Sequence, residues 1–252
     1  MQGFDPQRPS FGSGFEEAGL KERLIAMFHA PGASFAAVVQ RETWQDWLVP
    51  VILVSVVGVV SHFITLPIIA DLESPAVQEQ LQRMAEEERK RYVESIELLR
   101  AQGWIMVPIG AFTSLVIVAV VLLALVRAVF RSEATYQQML VVKGYASVVV
   151  GVEWIVRTLL ILVEETTMVH TGLGVFVPEE MARTFAGRVL IGVNFFDIWQ
   201  ACLLGAGIAV MGAIPIRKAV YSVLVLWGIW VVGGAAVEAL AIASSGGQAP
   251  LP

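Results

Sequence analysis

Six ionisable side chains fall within otherwise apolar runs: His62, Lys143, Glu153, Arg157, Asp197 and Glu238. A charge at the bilayer midplane costs roughly 2.5–3.5 kcal/mol on insertion scales, so such residues pair with one another or line a pathway. Glu153 and Arg157 are four residues apart with the acid first, which places them on one helix face. Asp197, on a later apolar run, is a second partner for Arg157. The trio Glu153, Arg157 and Asp197 forms a candidate intramembrane polar cluster. It reads either as an ion or proton relay or as a polar clasp between two spans. The clasp is the better reading, because a transporter would show interrupted spans in two matching halves, and no internal repeat occurs. Enzyme signatures do not appear: there is no His-Glu-x-x-His pair, no Gly-x-Ser-x-Gly elbow and no phosphate loop. His29, His62 and His170 are scattered, and Glu164-Glu165 with His170 is too loose a grouping for a metal site. The chain is therefore expected to be non-catalytic, with no metal and no cofactor.

The elements carrying these residues follow from composition. Of 252 residues, 56% are hydrophobic and only 15% charged, against roughly a quarter charged in soluble chains. Mean hydropathy is +0.71. The apolar residues come in blocks long enough to cross a bilayer, about 18 residues or more. Five spans are predicted, at about 48–70, 105–126, 139–163, 189–214 and 219–243, within a membrane domain of residues 47–243. Trp44, Trp47 and Trp104 stand at span edges, as in an aromatic belt. Pro50, Pro67 and Pro108 sit near span ends, where a missing donor costs least. Along span four, Ala201, Gly205, Ala209 and Ala213 recur every fourth residue, a small-residue face on which another helix can approach closely. Gly144, Ser147 and Gly151 on span three are its candidate counterpart.

Outside the spans, residues 1–15 hold Gly3, Pro6, Pro9, Gly12 and Gly14 and little that could pack, and are expected to be a disordered tail. Residues 16–46 read as amphipathic interfacial helices. Leu20, Leu24, Met27 and Phe28 recur at helical spacing, then Pro31 starts a segment with Phe35, Val38 and Val39. Amphipathicity alone leaves open whether they lie on lipid or on the protein. No cleavable signal peptide is expected, and the first span would act as an anchor. Between spans one and two, Val77, Leu81, Met84, Tyr92, Ile96 and Leu99 form a stripe in a highly charged stretch. One extramembrane helix over 75–102 is predicted, with a solvated charged face or a docking seam for a partner. Pro178-Glu179-Glu180 resembles a helix start leading into span four. Residues 244–252 form a short tail. The net charge of −5 gives no basic footprint for nucleic acid, and the single Cys202 permits no internal disulfide.

Five spans place the termini on opposite sides. With the N-terminus inside, eight basic residues fall inside and seven outside, too close to decide. The short segments are more telling. The turn between spans four and five carries Arg217-Lys218, and Lys143 can snorkel to the same side, whereas the C-terminal tail is uncharged. The expected orientation is N-terminus cytoplasmic and C-terminus outside.

Several stretches resemble the Yip domain family (Ypt-interacting proteins), in its bacterial branch. Pro31 and Phe35 followed by Thr43-Trp44 resemble its opening segment. Phe130-Arg131-Ser132-Glu133-Ala134-Thr135-Tyr136-Gln137-Gln138 resembles its short inner loop. Gly144-Tyr145-Ala146-Ser147 resembles its Tyr-Ala-Ser stretch, with Val148 where a Pro often follows. Asn194-Phe195-Phe196-Asp197-Ile198-Trp199, then Gly205 to Gly212 and Lys218-Ala219, resembles its fourth-span signature. The resemblance covers about residues 20–242. It implies an all-α polytopic bundle of five transmembrane helices in a bacterial inner membrane. Tyr145, Ala146, Ser147, Asn194, Phe195, Asp197 and Trp199 are then the family-like positions. The Asp-Leu-Tyr-Gly-Pro motif of eukaryotic members does not occur, and their small-GTPase partners are not carried over. The function expected is a scaffold or accessory subunit that meets the lipid bilayer and other membrane proteins or its own copies. Alternatives are a transporter or channel component using the intramembrane charges, and a membrane-shaping protein.

Overall fold

Helix starts in this chain are set by short polar side chains that accept from otherwise unpaired N–H groups. Ser74 Oγ accepts from Val77 N at 3.3 Å, just before Pro75. Thr135 and Gln138 cap each other reciprocally, Gln138 N donating to Thr135 Oγ1 at 3.2 Å and Thr135 N to Gln138 Oε1 at 2.9 Å. Thr184 Oγ1 accepts from Gly187 N at 3.1 Å. The computed structural model describes residues 19–39, 43–166, 169–182 and 184–244. Its helices are α1 (Leu20–Ala26), α2 (Pro31–Val39), α3 (Gln45–Ile69), α4 (Pro75–Arg83), α5 (Glu86–Ala128), α6 (Tyr136–Ala146), α7 (Val148–Glu164), α8 (Glu179–Ala182), α9 (Phe185–Ile191), α10 (Phe195–Met211) and α11 (Ile216–Ser244). A 3-10 turn covers Leu173–Phe176.

The protein is all-α among the described residues apart from one isolated bridge, Gly172 to Asn194. Four helical stretches are long and apolar enough to cross a membrane: Gln45–Ile69, Glu86–Ala128, Tyr136–Glu164 and Ile216–Leu240. The apolar helix α10 is shorter, at 17 residues, about 25 Å at ~1.5 Å per residue. The chain forms two compact units. Unit 1 is Met1–Val51, Leu115–Val148 and Ala201–Leu224, and unit 2 is Ile52–Ser114, Val149–Gln200 and Val225–Pro252.

Four expectations change in detail. The single helix over 75–102 is two: α4 ends at Arg83, and α5 starts at Glu86 and runs without a break into the second apolar stretch. Three glutamates at its start, Glu86, Glu87 and Glu88, sit at the positive end of the helix dipole and favour a new helix there. Pro108 consequently lies inside a 43-residue helix rather than near its end. The continuous span at 189–214 is broken at residues 192–194 between α9 and α10, because Asn194 turns its side chain to cap the new helix. Lys143 does not snorkel: it is 5% exposed and buried within unit 1. Residues 1–15 and 245–252 lie outside the described residues.

Within unit 1, the α1–α2 pair presents Ala26, Met27, Phe35 and Val38 to the interior while Ile25 and Phe28 stay exposed. Helix α11 faces outward: only 11% of its apolar window is buried, so its Val225, Ile229, Trp230 and Val237 present an apolar surface that lipid can cover.

Candidate functional site

In unit 1 the polar centre is Asp46, in the first turn of α3. Its neighbour three residues back, Thr43, donates twice to Oδ2, from its backbone N at 2.8 Å and its hydroxyl at 2.9 Å. Tyr145 of α6 donates its hydroxyl to Oδ1 at 2.9 Å. Arg23 of α1 reaches the same oxygen from Nη2 at 3.0 Å. The Asp46 side chain is fully buried and that of Arg23 is 14% exposed. A carboxylate at a helix N-terminus also meets the positive end of the dipole. Around this centre, Ser34 Oγ of α2 donates to the Arg23 carbonyl at 2.8 Å. The Phe35 ring lies tilted on the Tyr145 ring, with centroids 6.1 Å apart. One buried carboxylate thus ties the α1–α2 pair to α3 and α6. Sequence reasoning selected Tyr145 but passed over Asp46 and Arg23. A signal was present in Thr43-x-x-Asp46, a hydroxyl and an acid three apart before an apolar run.

In unit 2 the organising residue is Asn194. Its Oδ1 accepts from Phe196 N at 3.0 Å, which starts α10, and from Thr171 Oγ1 at 3.1 Å. Its Nδ2 donates to Glu153 Oε1 of α7. The strand-like pairing of Gly172 with Asn194 holds the loop against this corner, Leu173 N donating to Val193 O at 2.9 Å. Asp197 and Arg157 are the charged neighbours of Glu153, and Arg157 is exposed. The polar contact that Glu153 makes is to the Asn194 amide. Phe195, Phe196 and Trp199 pack ring on ring beside it, at centroid distances of 5.4–6.5 Å. A second tie in unit 2 joins α9 to α11, Arg188 to Glu238 at 3.2 Å. His62 of α3 is buried at 8% exposure, with its ring against Gly103 of α5. Arg100 donates to the Ala70 carbonyl at the end of α3, the capping role basic side chains serve there.

The small residues of span four have different surroundings. Ala201 and Ala209 are buried. A Cβ on Gly205 would stand 2.6 Å from Val220 Cα, so α10 and α11 meet backbone to backbone in unit 1. Ala213 lies past the end of α10 in a turn with φ of 53° and is not part of the face. Gly144 meets another helix: a Cβ there would stand 3.0 Å from Trp47 Cα, so at this residue α6 lies close on α3. Gly151 likewise faces Val54 of α3. Ser147 bends back within its own helix, donating to the Lys143 carbonyl at 2.7 Å, where α6 gives way to α7. Among the described residues, no group of three His, Cys, Asp or Glu is placed to hold a metal ion.

Long apolar helices joined by buried polar fasteners define an integral, multi-pass membrane protein. The chain matches the Yip1 domain over residues 25–237 and belongs to that family, whose members are generally non-catalytic. No curated protein and no solved structure matched it.

Proposed function

We propose that this chain is a non-catalytic scaffold or accessory subunit of a bacterial inner membrane, crossing it five times with the N-terminus cytoplasmic. The observation that carries the reading is Asp46. Its accepting capacity is filled by donors from Thr43, Tyr145 and Arg23, so the most buried carboxylate serves to fasten helices. Glu153 supports the same reading, since Asn194 and the start of α10 hold it in place. We place Asp46 and Glu153 as structural clasps rather than as stations in a relay. The surfaces offered to partners are the charged arm formed by α4 and the first half of α5, and the exposed apolar face of α11. The orientation rests on the exposed basic residues Arg127, Arg131, Arg217 and Lys218 in and beside the turns of unit 1, while unit 2 carries eight basic residues against fifteen acidic.

Purification in mild detergent together with native neighbours tests the scaffold role. A stoichiometric membrane-protein partner is the expected result. Ion flux through liposomes holding this protein alone would replace the scaffold reading with a transport one. A membrane-shaping role is favoured by one observation, the exposure of Ile25 and Lys21 on α1 and of Phe28 in the turn after it. Tubulation of liposomes by the full chain, abolished by Ile25→Ser with Phe28→Ser, would establish it.

A further inference from the structure

Two turns of unit 1 meet at one place. The turn after α5 and the turn after α10 are joined where Ser132 Oγ donates to the Gly212 carbonyl at 3.2 Å. Between them lies a cavity of about 340 Å³, lined by Ser132, Glu133, Ala134, Gln138, Met211, Gly212 and Ala213. The capping of Thr135 fixes the Gln138 amide with its oxygen turned to the helix, which leaves the Nε2 hydrogens for another acceptor. Both turns pass through a left-handed residue, Arg131 and Ala213, each with φ of 53°. Four basic residues flank the cavity in sequence and are all exposed: Arg127 at the end of α5, where it donates to the Ala134 carbonyl, Arg131 in the turn that follows, and Arg217 and Lys218 in the first turn of α11. Exposed apolar side chains adjoin them, Val129 in the first turn and Ile216 at the start of α11.

We propose that this cavity is a binding site for the headgroup of an anionic phospholipid. Four exposed cations within a few residues of a lining that holds one carboxylate, Glu133, favour a phosphate over a zwitterionic or cationic group. The Nε2 hydrogens of Gln138 suit phosphate oxygens, and Glu133 accepts from headgroup hydroxyls, while the Ser132 hydroxyl stays with the Gly212 carbonyl. A singly charged phosphodiester bearing a polyol fits this set, and Glu133 disfavours a doubly charged monoester. The apolar neighbours Val129 and Ile216 decide between a lipid and a free phosphate, because they offer contact to acyl chains that inorganic phosphate lacks. The positive-inside rule needs only the charges; the cavity and the Gln138 amide hydrogens are additional.

Native mass spectrometry of the full chain in mild detergent tests the site, with phosphatidylglycerol, phosphatidylethanolamine and phosphatidylcholine offered at equal concentration. Phosphatidylglycerol is expected as the first lipid bound. The double variant R131Q/R217Q is expected to weaken it roughly thirtyfold, at about fivefold for each basic side chain near an anionic group. The control variant K90Q/R91Q removes the same charge from unit 2 and is expected to leave binding unchanged, and an unaltered unfolding temperature shows both variants fold. Equal binding of the three lipids overturns the proposal. So does equal weakening by the two variants, which would mark a bulk charge effect. Competition by millimolar inorganic phosphate overturns the lipid as occupant.

Discussion

Asp46 and Arg23 are the residues whose replacement separates a fastener from a bystander. Removing one member of a buried ion pair strands the other charge, which costs about 3–5 kcal/mol, whereas replacing both with apolar groups is far milder. Asp46→Leu is therefore expected to lower unfolding temperature in mild detergent more than Asp46→Leu with Arg23→Leu. Equal losses would mean that the 3.0 Å contact contributes nothing. Tyr145→Phe removes one donor of several and should cost about 1 kcal/mol. Asn194 gives a parallel test in unit 2. Asn194→Ala loses a helix cap, about 1 kcal/mol, together with the partner of Glu153. Asn194→Asp keeps the cap and sets a second carboxylate against Glu153, so it should destabilise more than Asn194→Ala. The reverse order would show that the cap, and not the Glu153 contact, is what Asn194 supplies. Tyr145 and Asn194 were legible in the sequence through their family-like surroundings. Their partners were not: Asp46 lies 99 positions from Tyr145, and no periodicity connects residues on different helices.

The elements meet where glycine lets backbones touch. A Cβ at Gly205 would stand 2.6 Å from Val220 Cα and one at Gly144 would stand 3.0 Å from Trp47 Cα. Backbone cannot yield as a flexible side chain can, so Gly205→Ala and Gly144→Ala should each cost about 1–3 kcal/mol through overpacking. Gly228→Ala and Gly234→Ala, on open faces of α11, should be neutral or slightly stabilising by helix propensity. A detergent unfolding series over the four variants checks this, and equal effects at all four would contradict these close approaches. Helix positions were legible where apolar blocks were long, as in α3 and α11. The breaks were not. Blocks of similar hydropathy run through Ser147 and through residues 192–194, and what interrupts them is a side chain finding a backbone partner: Ser147 the Lys143 carbonyl, Asn194 the Phe196 N–H. The predicted helix at 75–102 failed for the same kind of reason, since its stripe continues across a boundary that the glutamates of α5 set.

For the whole molecule, orientation is the property most directly open to test. In a Cys202→Ala background, a membrane-impermeant maleimide is expected to label Glu88→Cys in intact cells, and Glu133→Cys only after permeabilisation. Labelling in the opposite pattern would invert the proposed topology. The sequence by itself determined that this is a helical membrane protein, because desolvation of apolar side chains is additive along a run and requires no knowledge of neighbours. It also determined the family, through local stretches spread over residues 25–237. Only the tertiary structure decided which polar groups satisfy one another: Arg23 and Tyr145 at Asp46, Asn194 at Glu153, Arg188 at Glu238. Hydrogen bonds and ion pairs act over a few ångströms and depend on direction. Their partners are fixed by how helices pack, and packing here is governed by where two backbones can approach.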